Sequence, residues 1–274
     1  MENDSQKNVD LLAYKAISKD GKLIDSARTF DSDESLQKFY QSFGYVIIKN
    51  IIPINLIGEI QNDLTEIFSP FAKDKENPVD SAITWLDEND KAKLYEIHVA
   101  AMRAISFKSV SVHLGNFIKK LSGTNAPVLE MAAGFLLGIP KDKRLVFDFH
   151  QEANYMKGFE ETFNIHYPLF RASTTDNGTM SILPSSQAYG TLTYEKKQVS
   201  HDSYPDLVPT NIEKITSKLP ELHCHLELGD CVIFHKDLIH KSNFNNSSLC
   251  RCVGVARFTQ SFVGDWVMRK AEEL

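Results

Sequence analysis

Apolar residues in the first half of the chain recur at helical spacing. Steps of three and four residues place them on one face of a helix, as in an amphipathic helix packed on a core. The clearest run follows Pro53 and consists of Ile54, Ile57, Ile60, Leu64 and Ile67. The pattern predicts helices at 33–42, 53–68, 88–105 and 108–121, a strand at 45–49, and a loop over 73–77 that Pro78 extends.

The chain changes character after about Val128. Short segments rich in β-branched and aromatic residues alternate with turn residues, which indicates a sandwich, a barrel or a jelly roll. Asp176-Asn177-Gly178 is a strong turn signal between two of these segments. A polar insert at 195–221 is either a surface excursion or a lid over a site. The predicted strands are 128–137, 144–152, 162–170, 179–183, 222–227, 230–235, 238–243 and 251–259.

The two patterns together predict one compact domain over residues 1–274. A helical N-terminal part at 11–125 packs on a β-rich core at 126–262, so the expected fold class is mainly β with α additions. Residues 1–10 are polar and are candidates for disorder.

Charge and hydropathy narrow the range of partners. The net charge is −6 and no long run of Lys or Arg occurs, which argues against nucleic acid or an anionic membrane surface as a partner. The N-terminus lacks the apolar segment of a secretory signal, and no apolar run reaches the ~20 residues that span a bilayer. A cytoplasmic location is the expectation, and the sequence leaves the oligomeric state open.

Four cysteines lie in the last quarter of the chain: Cys224, Cys231, Cys250 and Cys252. A zinc site that uses the segment 223–225 with Cys231 is one interpretation. Neighbouring residues on a strand point to opposite faces, however, so these groups cannot all meet at one ion. We therefore expect buried free thiols.

A second candidate for metal binding is the pattern His-x-Asp/Glu. On a strand, residues i and i+2 point the same way, so one strand can deliver an imidazole and a carboxylate together. Two His and one carboxylate on one face of an ion are typical of non-haem iron oxygenases. The pattern alone is weak, because it occurs three times: His150-Gln151-Glu152, His225-Leu226-Glu227 and His235-Lys236-Asp237.

The need for a third ligand separates the three matches. For His150 and Glu152, His240 lies 88 residues beyond the acid, which leaves room for several intervening strands. The other two pairs have only nearby histidines after them, too close for a barrel to form in between. Of the three matches, only His150 and Glu152 with His240 leave a workable fold. The pair alone favours a hydrogen-bonded core histidine beside a surface acid, and the sequence around it reverses that preference.

Arg251 follows in a run of Val and Phe, where a charged side chain needs a partner. The planar guanidinium can bind a carboxylate ligand with two hydrogen bonds, and the hydroxyl of Ser242 could complete that contact. An ion pair with an Asp or Glu on a strand is an equally good interpretation from these residues alone.

Taken together, these residues resemble the phytanoyl-CoA dioxygenase-like branch of the Fe(II)/2-oxoglutarate-dependent oxygenases. The resemblance extends over roughly residues 35–260. The eleven-residue step from His240 to Arg251 is the most specific element. The matching segments are Phe43-Gly-Tyr-Val-Ile-Ile-Lys49, Phe149-His-Gln-Glu-Ala-Asn-Tyr155, Tyr167-Pro-Leu169, Asp176-Asn-Gly178 through Ile182-Leu-Pro-Ser-Ser186, and Gly229-Asp230 through His240-x-Ser242, Asn246 and Arg251.

The resemblance implies a double-stranded β-helix, the jelly-roll or cupin-like barrel, with the N-terminal helices packed on it. It implies that Fe(II) is held by His150, Glu152 and His240. Arg251 and Ser242 would bind the C5 carboxylate of the co-substrate 2-oxoglutarate. With O2, such an enzyme most often hydroxylates a C–H bond of a small molecule and releases succinate and CO2.

The chain departs from the family pattern at several positions. Glu152 stands where Asp is usual, and a carboxylate there argues against a halogenase, which needs that position for chloride. His166 stands where the family often has Trp, and either contacts the co-substrate or is a polar barrel residue. Gln187 replaces a common His, and Ser185 replaces a Gly of the same turn.

The substrate cannot be named from these residues. Tyr155, Trp85 and Arg171 are candidate substrate contacts, although each has a structural role as its alternative. Two other functions stay open: a cupin-like metal-dependent isomerase or lyase without 2-oxoglutarate, and a non-catalytic metal-binding jelly-roll protein. Nothing in the chain resembles a clamp for the phosphates of an acyl-CoA.

Overall fold

The computed structural model describes residues 32–123, 128–144, 146–156, 162–198 and 205–260, and the backbone of four short strands outside these ranges. The candidate disordered segment 1–10 lies outside the described residues. The helices are α1 (Asp33–Phe43), α2 (Ile54–Phe68), α3 (Pro78–Asn89), α4 (Lys91–Ala101), α5 (Ser106–Ser122) and α6 (Ile212–Thr216), with 3-10 turns at Ser69–Phe71, Glu152–Asn154 and Ser186–Tyr189.

The strands form two five-stranded sheets and two short hairpins. The strands are β1 (Tyr14–Ser18), β2 (Leu23–Ser26), β3 (Tyr45–Ile48), β4 (Val128–Gly138), β5 (Thr162–Pro168), β6 (Ser181–Ile182), β7 (Tyr194–Lys197), β8 (Asp206–Pro209), β9 (Leu222–Cys224), β10 (Cys231–His235), β11 (His240–Lys241), β12 (Arg251–Gln260), β13 (Phe262–Val263) and β14 (Trp266–Val267).

The large sheet has the order β3-β10-β5-β12-β4 and the small sheet β11-β6-β9-β1-β2. All of these pairings are antiparallel. Strands that are distant in sequence pair directly, as in a jelly roll. The fold class is therefore the predicted one, mainly β with α additions, although the described strands form two sheets rather than a closed barrel. The prediction of a single domain stays a prediction.

Alternating side chains give the large sheet two different faces. On β5, Phe163, Ile165 and Tyr167 join the cluster formed by the helices, while His166 points to the other side. Tyr167 lies directly over Gly254 of the neighbouring β12, where a side chain would collide with the ring. The helices therefore cover one face, and the opposite face is left for a site.

The helical part follows its predicted pattern, with two differences. Ser32 caps α1 through a reciprocal hydrogen-bond pair with Ser35, and Gly44 ends it in a left-handed conformation. The loop prediction at Pro78 was wrong, because proline fits the first turn of a helix and α3 begins there. The predicted helix 88–105 is shorter, since Asp90 ends α3 and caps α4.

The strand predictions were right for the long segments, whereas the short strands are shorter than predicted. The described residues of segment 144–152 form no regular strand; they have a single bridge at His150, followed by a 3-10 turn. The insert at 195–221 contains the hairpin of β7 and β8 and the short α6. The predicted turn at 176–178 is present, and Gly178 has a φ of 81°.

Among the described residues the structure contains neither a membrane-spanning helix nor a disulfide bond. No helix in them has the length and apolar content that a bilayer crossing requires. The four cysteines are buried and free, as expected. Burial raises the pKa of the Cys224 and Cys231 thiols well above their ordinary value, so both stay protonated.

Candidate metal centre and its cavity

The two predicted histidine ligands are joined through their backbones. The amide of His150 donates to the carbonyl of His240 at 2.9 Å, and the amide of His240 donates back at 3.1 Å. Their ring centroids lie 4.2 Å apart. This antiparallel bridge between the two residues therefore fixes the distance between the two imidazoles.

Glu152 joins them because the residue before it is extended. Gln151 has φ −123° and ψ 134°, so the residues on either side of it point the same way. The Glu152 Oε1 atom lies 3.9 Å from His150 Nε2 and 3.6 Å from His240 Nε2. One ligand atom from each of the three residues fits within 4.8 Å, and this is the one such group among the described residues.

Backbone carbonyls orient both imidazole rings. Nδ1 of His150 donates to the carbonyl of Asp148 at 2.7 Å, and Nδ1 of His240 donates to the carbonyl of Leu238 at 2.9 Å. A ring that is protonated on Nδ1 presents the lone pair of Nε2, the form that ligates a metal. The two Nε2 atoms therefore face Glu152 in the form that can bind an ion.

The electrostatics of the three groups suit a cation. Burial and the neighbouring His240 lower the pKa of His150 to about 3, so the ring is neutral at physiological pH. Burial alone would raise the pKa of Glu152, but Arg257 and the two histidines hold it below its ordinary value. Two imidazoles and one carboxylate are thus available for a divalent ion.

The three side chains open into a cavity of about 600 Å³ between the two sheets. Its wall is mostly apolar, and a few polar groups converge on the ligands, as in small-molecule sites. Its lining consists of Met131, Ala132, Leu136, Phe147, His150, Glu152, Tyr155, Met156, His166, Met180, His240, Lys241, Ser242, Arg251, Val253 and Arg257.

Arg251 faces this cavity from β12. It lies opposite Gly138 of β4, where a side chain would sit 3.3 Å from the Arg251 Nε atom, so the glycine leaves space for the guanidinium. Among the described residues no Asp or Glu pairs with it, and its buried Nε has no hydrogen-bond partner. Burial lowers the pKa of Arg251 to about 10. An unpaired buried cation is the arrangement expected of a binding site for an anion.

Three further predicted site residues line the same cavity. Ser242 lies beside the metal ligands, two residues after His240. His166 packs edge-on against Phe234, and burial holds its pKa well below the ordinary value. The Tyr155 hydroxyl accepts a hydrogen bond from the amide of Leu207 in the insert, at 3.0 Å. The insert therefore contacts the rim of the cavity.

The structure places the other two candidate substrate contacts elsewhere. Trp85 lies on α3 in a separate depression, under the ammonium group of Lys73 at 4.1 Å. Arg171 makes a two-pronged ion pair with Asp80 and also donates to the carbonyl of Cys250. Neither residue lines the cavity beside the metal ligands, and the expectation that they contact substrate stays a prediction.

Arg257 is a cavity residue that the sequence reasoning missed. Its Nη2 atom lies 3.0 Å from Oε2 of Glu152, the oxygen that faces away from the imidazoles. It lies six residues after Arg251 on the same strand, and therefore on the same face. Strand parity counted from Arg251 was the signal that could have found it.

Comparisons with known proteins agree with this geometry. A family model described as phytanoyl-CoA dioxygenase (PhyH) matches residues 40–253. A curated Caenorhabditis elegans protein named probable phytanoyl-CoA dioxygenase is 22% identical over 261 residues, covering 86% of this chain and 83% of its own length.

Two solved structures share the fold. EctD from S. alaskensis, in its apo form, superposes with a TM-score of 0.58 at 16% identity, over 86% of this chain and 80% of its own. The epimerase SnoN, in complex with Fe3+, alpha ketoglutarate and nogalamycin RO, gives a TM-score of 0.54 at 16% identity, with 84% of each chain covered.

The residues at the site fit the iron and 2-oxoglutarate that the family uses. Two imidazoles and one carboxylate form the ligand set typical of non-haem Fe(II) oxygenases. The guanidinium of Arg251, which has no carboxylate partner among the described residues, suits the dianionic co-substrate. The family match covers well over half of the chain, and the chain belongs to the phytanoyl-CoA dioxygenase family of non-haem iron, 2-oxoglutarate-dependent oxygenases.

Proposed function

We propose that this oxygenase hydroxylates a C–H bond of a small molecule and releases succinate and CO2. The observation that carries the proposal is the meeting of His150, Glu152 and His240 in a cavity that also contains the unpaired Arg251. A metal-dependent isomerase or lyase has no use for a buried guanidinium beside the ligands. A site for a co-substrate carboxylate accounts for it.

Each residue has a distinct role in the proposal. His150, Glu152 and His240 bind Fe(II), and their backbone bridge and hydrogen bonds hold them in position. Arg251 and Ser242 bind the C5 carboxylate of 2-oxoglutarate. When bound, the iron and this co-substrate supply the oxidising power for O2-dependent attack on a C–H bond.

The remaining cavity residues set the surroundings of the reaction. His166 is neutral because burial lowers its pKa, so it can donate or accept one hydrogen bond at the co-substrate without adding charge. Tyr155 stands at the opening and is a candidate substrate contact. The apolar walls exclude water from the reacting atoms.

The first experiment measures metal and co-substrate together. Wild-type protein loaded with Fe(II) under anaerobic conditions should bind one iron and then turn over 2-oxoglutarate to succinate when air is admitted. His150→Ala should weaken iron binding by about 100-fold or more, because loss of an outer hydrogen-bond partner alone costs roughly 10–100-fold. The control is His113→Ala, which replaces an exposed histidine of α5 whose Nε2 donates to the carbonyl of Ile51 and which does not line the cavity.

Two results would contradict the proposal. One is wild-type protein that binds iron but forms no succinate with or without a metabolite library present. The other is equal iron binding by the wild type and His150→Ala. Oxidised products identified by mass spectrometry, with a mass gain of one oxygen, distinguish hydroxylation from desaturation.

A further inference from the structure

The second arginine of the cavity, Arg257, is not needed for the co-substrate. One of its nitrogens contacts Oε2 of Glu152 at 3.0 Å, and its buried Nε has no partner among the described residues. A guanidinium carries five N–H donors. The side chain is 25% exposed and lines the cavity, so some of these donors are available to a ligand.

Charge balance shows what that ligand should be. In the loaded site the divalent metal, Arg251 and Arg257 together carry four positive charges, whereas Glu152 and the dianionic co-substrate carry three negative charges. Lys241, which also lines the cavity, pairs with Glu221 at 2.8 Å. One net positive charge therefore remains in the described lining, and Arg257 is the cation that shares its carboxylate partner, Glu152, with the metal. A buried charge is costly unless a group of opposite sign accompanies it, so the loaded site favours a monoanion.

The rest of the wall describes the body of the ligand. Met131, Leu136, Met180 and Val253 line the cavity with apolar surface. Leu136 is 42% exposed, as is Tyr155, although apolar and aromatic side chains are usually covered. An apolar part of a substrate would cover both. Phosphate-rich molecules need several cations, and the described lining offers no further unpaired cation for them.

We propose that Arg257 binds the carboxylate of a monoanionic substrate whose remaining part is apolar. This inference rests on the proposed function and names the substrate class for the same site. Because Arg257 contacts a metal ligand directly, its bound carboxylate lies beside the metal centre. The oxidised carbon is then expected within a few bonds of the carboxylate, and the apolar remainder along the methionine-lined wall.

The test compares acids with neutral molecules of the same shape. Hexanoate and benzoate, with hexanamide and benzamide as matched controls, are titrated calorimetrically into anaerobic protein loaded with Fe(II) and 2-oxoglutarate. The wild type should bind at least one acid about tenfold or more tightly than its amide, the size expected for a charge-assisted hydrogen bond. Arg257→Gln should abolish this preference, and Arg257→Lys should keep part of it. Arg103→Gln, an exposed arginine on the helical side, is the control.

The outcomes separate the inference from the proposed function. Wild-type protein that binds 2-oxoglutarate but prefers neither acid overturns the inference alone. If the wild type binds acids and amides alike and Arg257→Gln loses iron affinity by about tenfold or more, Arg257 only positions Glu152 and the inference is overturned. Wild-type protein that binds no 2-oxoglutarate overturns the proposed function and the inference with it.

Discussion

The two faces of the large sheet are built from the same strands but have opposite character. On β12, Cys252 and Ala256 face the helices and join the main apolar cluster. Their neighbours Arg251, Val253 and Arg257 face the cavity. The helical face is completed by apolar side chains of the protein itself, whereas the cavity face keeps two guanidinium groups that need ligands.

This difference assigns stability and chemistry to separate sides of one sheet. Burial of apolar side chains against the helices stabilises the fold in rough proportion to the buried area. Burial of an unpaired Arg251 costs free energy in the absence of a ligand. Substitutions on the two faces should therefore affect different measurements.

The largest effect is expected on the helical face. Phe135 of β4 is fully buried, stacks on Phe107 and meets Phe68 edge-on. Phe135→Ala should lower the free energy of unfolding by about 3–5 kcal/mol, because it removes a large side chain and leaves a cavity. Urea denaturation measures this loss. Iron affinity of the folded variant should change little, and a large loss of iron binding would show that the two faces are not independent.

A smaller effect, on a different measurement, is expected on the cavity face. Arg251→Met leaves a shorter, unbranched and uncharged side chain, so 2-oxoglutarate should bind about 100-fold more weakly through loss of two charge-assisted hydrogen bonds. The free energy of unfolding without ligands should stay equal or rise, because an unpaired buried cation is removed. Calorimetry measures the affinity for 2-oxoglutarate, and urea denaturation measures the free energy of unfolding. A destabilised variant with normal co-substrate affinity would assign Arg251 to the fold.

The third effect concerns pH and is the smallest. His166 keeps a pKa well below its ordinary value of 6.5 in the fold, since burial disfavours the imidazolium. On unfolding it takes up a proton below pH 6.5, so the unfolded state binds more protons and stability falls as the pH is lowered. Each such histidine should lower the free energy of unfolding by about 1.4 kcal/mol for each pH unit of acidification between pH 6.5 and 5.

A matched variant isolates one histidine from the others. His166→Gln should reduce the slope of unfolding free energy against pH by about one proton, measured on metal-free protein in a urea series. His150 adds a similar slope, because its pKa is lowered to about 3. An unchanged slope in His166→Gln would mean that this side chain reaches water and titrates normally in the fold.

Much of the fold could be predicted from the sequence because the hydrophobic periodicity of its helices and strands is strong. The spacing of Ile57, Ile60 and Leu64 gave α2 almost to its ends, and these residues are buried as expected. The long strands β4, β5 and β12 were also predicted nearly to their bounds. Their extended apolar runs have no competing helical pattern.

The candidate metal ligands could be predicted from the sequence for a reason other than hydrophobic periodicity. The i, i+2 spacing of His150 and Glu152 selects one face whenever the residue between is extended, even though the predicted strand reduces to a single bridge. The distant His240 was selected by the length of chain needed between ligands. Neither argument depends on the bounds of a regular strand.

Other features of the structure depend on contacts between residues that are distant in sequence, which a local sequence pattern cannot predict. Arg171 was a candidate for substrate binding, but Asp80, 91 residues earlier, pairs with it. The contact between Arg257 and Glu152 likewise joins residues 105 positions apart. Pro78 was ambiguous, because proline both interrupts helices and begins them, and only packing decides between the two.

The backbone bridge between His150 and His240 has a consequence for divergence within the family. Main-chain amides and carbonyls are the same whatever the side chains, so the spacing of the two rings does not depend on the identity of the surrounding residues. Substitutions can accumulate around such a centre without altering its geometry. A relative that shares only 22% of its residues with this chain could therefore keep an equivalent pair of rings at the same separation, and engineered replacement of neighbouring side chains should be tolerated equally well.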